Sequence, residues 1–325
     1  MIKVLTILGG FVFLLCACSQ QSSTTVLRLA HGLDTQHPVH LGMVYMADRL
    51  AELSQGEIEI VVYPNQQLGT ERQCLELLQI GSLAMTKVSA AVLENFAPKT
   101  KVLSLPYLFR GRAHAYAVQD SEVGQELLCD SERYRLRGLT YFDAGQRSFY
   151  TKDRPIETPA DLAGLKVRVQ ESATAISMVE QLGGAPTPIS WGELYTSLQQ
   201  GVVDGAENNP PSFYNSGHYE VCKYYSLNEH TAVPDVLIIS TEIYNRLTEQ
   251  EQLWLTTAVA EATTYQRALW QEAEAEALEA VEAAGVEVIR PDKQPFMEQT
   301  AAILEAYESE PEMYALIQRI QAVGE

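Results

Sequence analysis

Short apolar runs and stretches of helical periodicity alternate along the first third of the chain. Short apolar runs predict strands, and apolar residues recurring at helical spacing predict helices. In order, the pattern predicts strands at Val26–Ala30, Ile58–Tyr63 and Ala84–Val88, with helices at Pro38–Leu53 and Glu71–Ile80 between them. Strands separated by helices of about 10–15 residues are typical of a parallel sheet with helices on its faces.

The same alternation returns in the second half of the chain. It predicts a strand at Leu165–Val169, a helix at Ser172–Leu182, a helix from the capping box at Ser190 to Gln200, and a later strand at Val236–Ser240. Two such units in a chain of 325 residues agree with the usual domain size of about 100–200 residues. The pattern therefore predicts an α/β protein of two domains.

A long helix is predicted after the second unit. It begins at the capping box Thr248–Glu251, and no Gly or Pro follows before Gly285. At ~1.5 Å per residue an unbroken helix here would approach 55 Å, which exceeds the width of a small domain. Such a helix can brace two lobes. A kink near Thr263–Thr264 is the alternative.

The N-terminus has the features of an export signal. Lys3 precedes an apolar run, Val4–Leu15, that is shorter than the ~20 residues needed to span a bilayer. The following Leu15–Cys18 resembles the lipobox of bacterial lipoproteins, so residues 1–17 are predicted to be a lipoprotein signal peptide. Residues 18–25 then form a tether, with lipid on Cys18 holding the protein at a membrane surface. An ordinary signal peptide with a coincidental cysteine is the alternative.

The net charge and the cysteine content limit which partners, ligands and metals are expected. The net charge of −19 argues against nucleic acid as a partner and against electrostatic attachment to anionic lipid. An anionic ligand would consequently need a local, desolvated cationic site. Cys74, Cys129 and Cys222 are scattered and lack metal-ligand spacing, so we predict no metal and three buried thiols, with one disulfide as the alternative.

A cation interrupts one of the predicted strands. Arg168 lies within the strand, where a charged residue is either an edge solubiliser or a buried group with a partner. Lys166 lies on the same face, and helices on both sheet faces leave little room for two solvated cations, which favours burial. A guanidinium suits a carboxylate because it donates two parallel hydrogen bonds. Arg147 is a second candidate, with a surface ion pair as the alternative.

The stretch Gly201–Tyr214 concentrates rigid and polar residues. A helix is predicted to end at Gly201, and a short apolar strand follows before Asn208 and Asn209. Two prolines then restrict the backbone. Open α/β sheets bind ligands where strands end in this way. A stiff surface turn is the alternative.

Several of these segments together resemble one family. They are Leu165–Val169 and Trp191–Asn208, preceded by Tyr63–Gly69 and Leu103–Phe109. The chain is similar to the DctP-type solute-binding proteins of TRAP (tripartite ATP-independent periplasmic) transporters, over nearly all of its length and in the same order.

The resemblance implies a two-lobed α/β periplasmic binding protein with a long bracing helix, which closes on an organic acid. Lobe I would comprise residues 26–144 and 233–265, and lobe II residues 145–232 and 266–325. The family's carboxylate-binding arginine falls on Arg168, its more variable second arginine on Arg147, and its asparagine on Asn208. Proteins of this family pass ligand to membrane permease subunits driven by an ion gradient, so no cofactor is expected.

The resemblance is nearest to members that bind sugar acids, in particular the hexuronates glucuronate and galacturonate. His37, Glu71 and Tyr214 are candidates for hydroxyl contacts, and Asn209 and Tyr214 for selecting the substrate. The alternatives are a helix cap for His37, a first-turn acid for Glu71 and packing for Tyr214.

Other functions remain as alternatives. The chain has no zinc-protease helix, nucleophile elbow, phosphate loop or dinucleotide fingerprint, so we predict that it is not an enzyme. It could instead bind a four-carbon dicarboxylate or a keto acid. A ligand sensor for a receptor kinase would use the same two lobes. The predicted location is the periplasm or the outer cell surface.

Overall fold

A computed structural model describes residues 24–324 of the chain. Its strands are β1 Thr25–Ala30, β2 Ile58–Tyr63, β3 Met85–Ser89, β4 Leu136–Phe142, β5 Arg147–Thr151, β6 Lys166–Val169, β7 Ala185–Pro188, β8 Gly205–Asn208, β9 Tyr224–Thr231, β10 Asp235–Ser240 and β11 Glu287–Ile289. Its α-helices are α1 Pro38–Leu53, α2 Glu71–Gln79, α3 Ala90–Leu93, α4 Arg112–Asp120, α5 Glu122–Asp130, α6 Ala173–Gln181, α7 Leu194–Gln199, α8 Pro210–Asn215, α9 His218–Val221, α10 Thr241–Tyr244, α11 Glu249–Ala283, α12 Gln294–Glu305 and α13 Pro311–Gln321. Short 3-10 helices lie at Pro98–Ser104, Ser131–Tyr134, Pro159–Leu162, Trp191–Glu193 and Ala306–Ser309.

The strands form two mixed sheets, which confirms the α/β class. The five-stranded sheet has the order β2-β1-β3-β10-β4, and the six-stranded sheet has the order β11-β9-β5-β8-β6-β7. Strands β1, β2 and β3 are parallel, as predicted, but β10 is antiparallel to both β3 and β4. The prediction of a purely parallel sheet is therefore wrong, because the chain leaves the five-stranded sheet after β4 and re-enters it from the other sheet as β10.

Most predicted elements occur within a residue or two of their expected bounds. Helix α1 and strand β2 have the predicted limits, and α2 ends one residue early. The helix expected from Ser190 to Gln200 is instead a 3-10 turn followed by α7. Strand β7 was missed because two of its four residues are proline; it pairs only with β6 and lies at the edge of the sheet, where proline is tolerated.

Helix α11 is continuous over 35 residues. Thr248 caps it through the predicted capping box, and Gly285 follows its end with a φ of +87°. It packs on α1 and β4 of the first half of the chain and on α8 of the second, so it braces both sheets as expected. The helix continues without interruption through Thr263–Thr264.

The C-terminal helices also contact both parts of the molecule. Helix α12 packs on α6 and β9, whereas α13 packs on α5 and the 3-10 helix Pro98–Ser104. The lobe boundaries suggested by the resemblance, 26–144 with 233–265 and 145–232 with 266–325, stay a prediction. In the described residues no helix is long and apolar enough to cross a membrane.

The three cysteines within the described range are unpaired. Cys74 and Cys222 are buried as predicted, but Cys129 is exposed, so the prediction of three buried thiols is wrong. Cys129 follows the buried Leu127 and Leu128 on α5 and lies on the outer face of that helix. Cys18 and the predicted signal peptide lie outside the described residues.

Candidate functional site

A cleft opens between the two sheets at the segments where the chain crosses from one to the other. It encloses about 640 Å³ of empty space, including its open mouth. The five-stranded side contributes Gln66, Thr70, Glu71, Lys87, Ser89 and Asp235, and the six-stranded side contributes Arg147, Arg168, Gln170, Trp191, Asn208, Asn209 and Ser212. Most of the lining is polar, so the cleft suits a ligand with many hydrogen-bonding groups.

Arg168 is the buried cation that the strand pattern predicted. It is 3% exposed, and Nε donates a 2.8 Å hydrogen bond to the carbonyl of Ile189. Nη1 is buried without a hydrogen-bond partner in the described part of the chain, and the guanidinium lies 5.9 Å from the ring centroid of Trp191. Burial lowers the pKa of Arg168 from its ordinary value. The cleft thus presents a charged donor whose Nη1 makes no hydrogen bond to the described residues.

Lys166 behaves differently from Arg168, although both lie on β6. Lys166 begins the strand and is exposed, whereas Arg168 is enclosed. The prediction that burial applies to both cations is therefore wrong for Lys166, because a side chain at the end of a strand can reach solvent past the covering helices.

Arg147 is also buried, but its charge is already neutralised. Its Nη2 donates a 2.8 Å hydrogen bond to Oε1 of Glu207, and its Nε donates to Oε2. Burial raises the pKa of Glu207, but Arg147 and a hydrogen bond from His230 outweigh burial and hold that pKa at about 2. The structure places Arg147 at the cleft as half of an internal ion pair, not as a free anion site.

Asn208 lies between the two arginines. Its Oδ1 accepts hydrogen bonds from Nη1 of Arg147 at 2.8 Å and from the backbone and side chain of Asn209. These bonds orient the amide, and its Nδ2 donates to no acceptor among residues 24–324. An amide nitrogen held in this way is available to a ligand oxygen.

The stretch around Asn208 is folded differently from the prediction. The strand is β8, Gly205–Asn208, so the polar residues lie within the strand instead of following an apolar one. Asn209 caps α8, accepting a 2.8 Å hydrogen bond from the backbone of Ser212, and Pro210 occupies the first turn of that helix. The prolines therefore begin a helix, a position that proline favours because it needs no donor there.

Glu71 lies at the cleft in a cluster of three charges. Nζ of Lys87 lies 3.1 Å from Oε1 of Glu71 and 3.1 Å from Oδ1 of Asp235. Burial lowers the pKa of Lys87, but Asp235 and Glu71 reverse that effect and raise it above its ordinary value. Sequence analysis missed Lys87 and Asp235 as site residues. One signal was present, because Lys87, like Arg168, is a cation inside a predicted strand.

His37 and Tyr214 do not line this cleft. Nδ1 of His37 accepts from the backbone of Val39 and caps α1, and its Nε2 lies 3.1 Å from Oγ of Ser212. Burial, and then the charge of Lys87, lowers the pKa of His37 to about 3. Tyr214 is 38% exposed on the outer side of α8 and packs on Tyr219. The structure thus gives His37 a capping role and Tyr214 a packing role.

Hydrogen bonds join the two sides of the molecule beside the cleft. Oγ of Ser89 donates to Oε1 of Gln170 at 3.3 Å, and Nδ2 of Asn95 donates to the carbonyl of Glu171 at 2.7 Å. The carboxylate of Glu94 accepts from Ser172 and from Thr174, at the N-terminus of α6. The segments that follow β3 and β6 therefore contact each other directly beside the cleft.

Two sheets with a polar cleft between them and an unpaired buried arginine in that cleft define a solute-binding protein. The family model for bacterial extracellular solute-binding proteins, family 7 (DctP), matches residues 29–310. The chain belongs to this family of TRAP solute-binding proteins, which is extracytoplasmic, works with a membrane permease, and consists of binding proteins and not enzymes.

Known proteins resemble the chain over most of its length. The uncharacterized protein YiiZ of Salmonella typhimurium is 38% identical over 299 residues, which is 91% of each chain. A TRAP periplasmic solute-binding protein from Xanthobacter autotrophicus, solved with bound β-D-galacturonate, is 39% identical with a TM-score of 0.89, covering 91% of this chain and 99% of its own. One from Roseobacter denitrificans, solved with bound β-D-glucuronate, is 35% identical with a TM-score of 0.89, covering 92% and 99%.

Proposed function

We propose that this protein is the extracytoplasmic solute-binding lipoprotein of a TRAP transporter and that it captures a hexuronate, such as glucuronate or galacturonate. The cleft closes on the ligand, and the closed protein delivers it to the membrane permease. The observation that carries the proposal is Arg168, a buried guanidinium with unused donors in a polar cleft.

A carboxylate supplies what Arg168 lacks. A guanidinium can donate two parallel hydrogen bonds to the two carboxylate oxygens, and the nearby Nδ2 of Asn208 can donate another. Hydrogen bonds to charged groups contribute about 1.5–3 kcal/mol each. Arg147 contributes indirectly, because its guanidinium donates to Oδ1 of Asn208 and orients that amide. Glu207 neutralises the charge of Arg147.

The rest of the cleft suits a sugar. Glu71, Gln170 and Asn209 lie on its walls, and carboxylate and amide groups of this kind pair with ligand hydroxyls. The similarity to proteins solved with bound galacturonate and glucuronate supports the same class of ligand. A ligand that bridges both walls would stabilise the closed form over the open one.

Calorimetry on Arg168→Ala tests the proposal. The wild-type protein should bind glucuronate or galacturonate, and the variant should lose at least about 100-fold in affinity, since a buried charged pair is lost. Arg168→Lys should also lose affinity, because an ammonium lacks the planar fork. Arg290→Ala, at an exposed arginine on the surface, is the matched control and should bind normally. Unchanged uronate affinity in Arg168→Ala would refute this role.

Membrane attachment through Cys18 is part of the same proposal. The lipobox-like Leu15–Cys18 supports lipidation, and a tether at residues 18–25 would let the protein body stand off from the membrane. Cys18→Ser should release the protein from the membrane fraction. Continued retention of that variant with the membranes would contradict lipid anchoring.

A further inference from the structure

The wall opposite Arg168 carries its own charged group, formed by Glu71, Lys87 and Asp235. The Lys87 ammonium lies between the two carboxylates, at 3.1 Å from an oxygen of each. Lys87 is 3% exposed, and all three residues line the same cleft as Arg168. We call this group the acidic triad, since its two carboxylates and one ammonium leave one net negative charge.

The acidic triad has unused hydrogen-bonding capacity. Oε1 of Glu71 and Oδ1 of Asp235 accept from Lys87, but Oε2 of Glu71 and Oδ2 of Asp235 accept no hydrogen bond from residues 24–324. Lys87 has three N–H donors, of which two are used in these bonds. This wall therefore offers two acceptors and one donor to a ligand.

A hydroxyl group matches that arrangement and a carboxylate does not. A hydroxyl can donate its hydrogen to a free carboxylate oxygen and accept from the ammonium. An ionised carboxylate has no hydrogen to donate, so it would leave the two acceptors unpaired and add a third negative charge beside them. Like charges placed together in a desolvated site cost several kcal/mol.

We propose that the acidic triad is a selectivity filter that admits sugar acids with a hydroxylated far end and excludes acids with a second carboxylate there. The inference rests on the proposed function, in which Arg168 holds the first carboxylate. Each wall then binds one end of the ligand. The six-stranded side binds its acid group, and the five-stranded side requires hydroxyls at the other end.

A matched pair of ligands tests the filter in the wild-type protein. Galactarate is the diacid related to galacturonate, and galactonate is an open-chain monoacid that differs from galactarate in one terminal group. Calorimetry should show galactarate binding at least about 100-fold more weakly than galacturonate, as expected for a like-charge contact. Galactarate should also bind more weakly than galactonate. Because both of these acids are open chains, that result excludes the sugar ring as the cause of the difference in affinity. Equal affinities for galactonate and galactarate would overturn the proposal.

Charge-removing variants test the residues themselves. Glu71→Gln and Asp235→Asn each keep the shape of the side chain and remove one negative charge, so the preference for galacturonate over galactarate should fall at least about tenfold. Glu261→Gln, at an exposed ion pair with Arg49, makes the same change away from the cleft and should leave the preference unchanged. An unchanged preference in both cleft variants would overturn the filter. Thermal melts verify that each variant is folded. Where a variant does not fold, the affinities of the wild-type protein for galactonate and galactarate test the proposal instead.

These outcomes separate the two proposals. If the wild-type protein binds no hexuronate, the proposed function fails. If it binds hexuronates tightly and galactarate equally tightly, the function stands and the filter alone fails.

Discussion

The two walls of the cleft use a buried cation in opposite ways. On the five-stranded side, Lys87 is held between two carboxylates, whereas on the six-stranded side Arg168 has no carboxylate partner in the described residues. Both cations lie within short strands, and both are 3% exposed. Burial alone therefore does not distinguish a cation that is neutralised within the chain from one that is not.

The difference comes from the neighbouring strands. Lys87 pairs in register with Leu237, and Asp235 lies two residues further along β10 on the same face, within reach of a long side chain. Arg168 pairs with Ala206 and Thr187, neither of which is charged. On that face, the residue two positions beyond Ala206 is Asn208, an amide that cannot neutralise a cation.

Arg147 is an intermediate case that supports the comparison. It lies on the six-stranded side, but Glu207 of the neighbouring strand forms an ion pair with it. The charge of Arg147 is therefore neutralised within the protein. Glu207 of β8 thus neutralises Arg147, whereas Arg168, on the other side of the same strand, has no carboxylate partner among residues 24–324. The following predictions test the charges on the two walls and the contact between them, in order of decreasing effect.

Low pH should lower the free energy of unfolding, because buried histidines lie near the cations Lys87 and Arg168. Burial, and then the charge of Lys87, lowers the pKa of His31 to about 2 and that of His37 to about 3. Burial, and then Arg168, lowers the pKa of His218 to about 3. The unfolded histidines bind protons near pH 6.5, so the stability present above that pH is lost as the pH falls towards 3.

For three histidines the loss should amount to roughly 5 kcal/mol between pH 7 and pH 5, measured by urea unfolding of the ligand-free protein. His37→Asn is the matched control, since asparagine can also cap a helix but does not titrate. It should remove about a third of the pH dependence. Equal stability at the two pH values would show that these histidines are not held neutral.

Exchange of each cation for methionine compares the two walls directly. Lys87→Met leaves the buried Asp235 and the partly buried Glu71 without a cation, and it should lower the free energy of unfolding by about 3–5 kcal/mol. Arg168→Met removes a buried charge that has no carboxylate partner, so the stability of the ligand-free protein should hold or rise. Urea unfolding at pH 7 measures both. Equal destabilisation by the two substitutions would break the comparison.

Glu207→Gln should turn Arg147 from a paired cation into an unpaired one. Removing one partner of a buried pair costs about 3 kcal/mol, so the free energy of unfolding should fall by that amount. Uronate affinity should change less than it does in Arg168→Ala, because Glu207 has no place in the proposed carboxylate site. A variant with wild-type stability would show that the ion pair contributes nothing net.

Glu94→Gln tests the contact between the walls and should have the smallest effect. Glu94 accepts hydrogen bonds from Ser172 and Thr174 on the other side of the molecule, beside the cleft, so its loss should weaken the closed form by about 1 kcal/mol and uronate affinity by about fivefold. Asp161→Asn is the control, because Asp161 caps a turn within one side of the molecule. It should lower stability without lowering affinity. The reverse pattern would contradict a role for Glu94 in closure.

Local signals in the sequence predicted much of the fold. Alternating apolar patterns located α1, β2 and the long helix, because each depends on residues close in sequence. They failed at β8, whose polar residues lie inside the strand and are buried by the surrounding structure. Of the candidate site residues, the structure places Arg168, Arg147, Asn208, Asn209 and Glu71 at the cleft; their roles in binding stay predictions.

The two candidates that lie elsewhere show the limit of such signals. The imidazole of His37 is used to cap α1, and Tyr214 follows the buried face of α8 and points outward. Both outcomes were compatible with the sequence. The packing of distant elements, such as Ser212 against His37 across 175 positions, sets where these side chains lie, and their part in ligand binding stays a prediction.

The sequence by itself determined the α/β class, the bracing helix, the family and the presence of a cation in a buried strand, since these follow from local patterns and ordered motifs. The tertiary structure decided which of the buried cations is neutralised by a carboxylate of the chain. Lys87 and Asp235 are 148 positions apart, and strand register brings them together while it places Ala206 and Thr187 beside Arg168. Charge pairing across strands depends on that register, and no local stretch of sequence contains it.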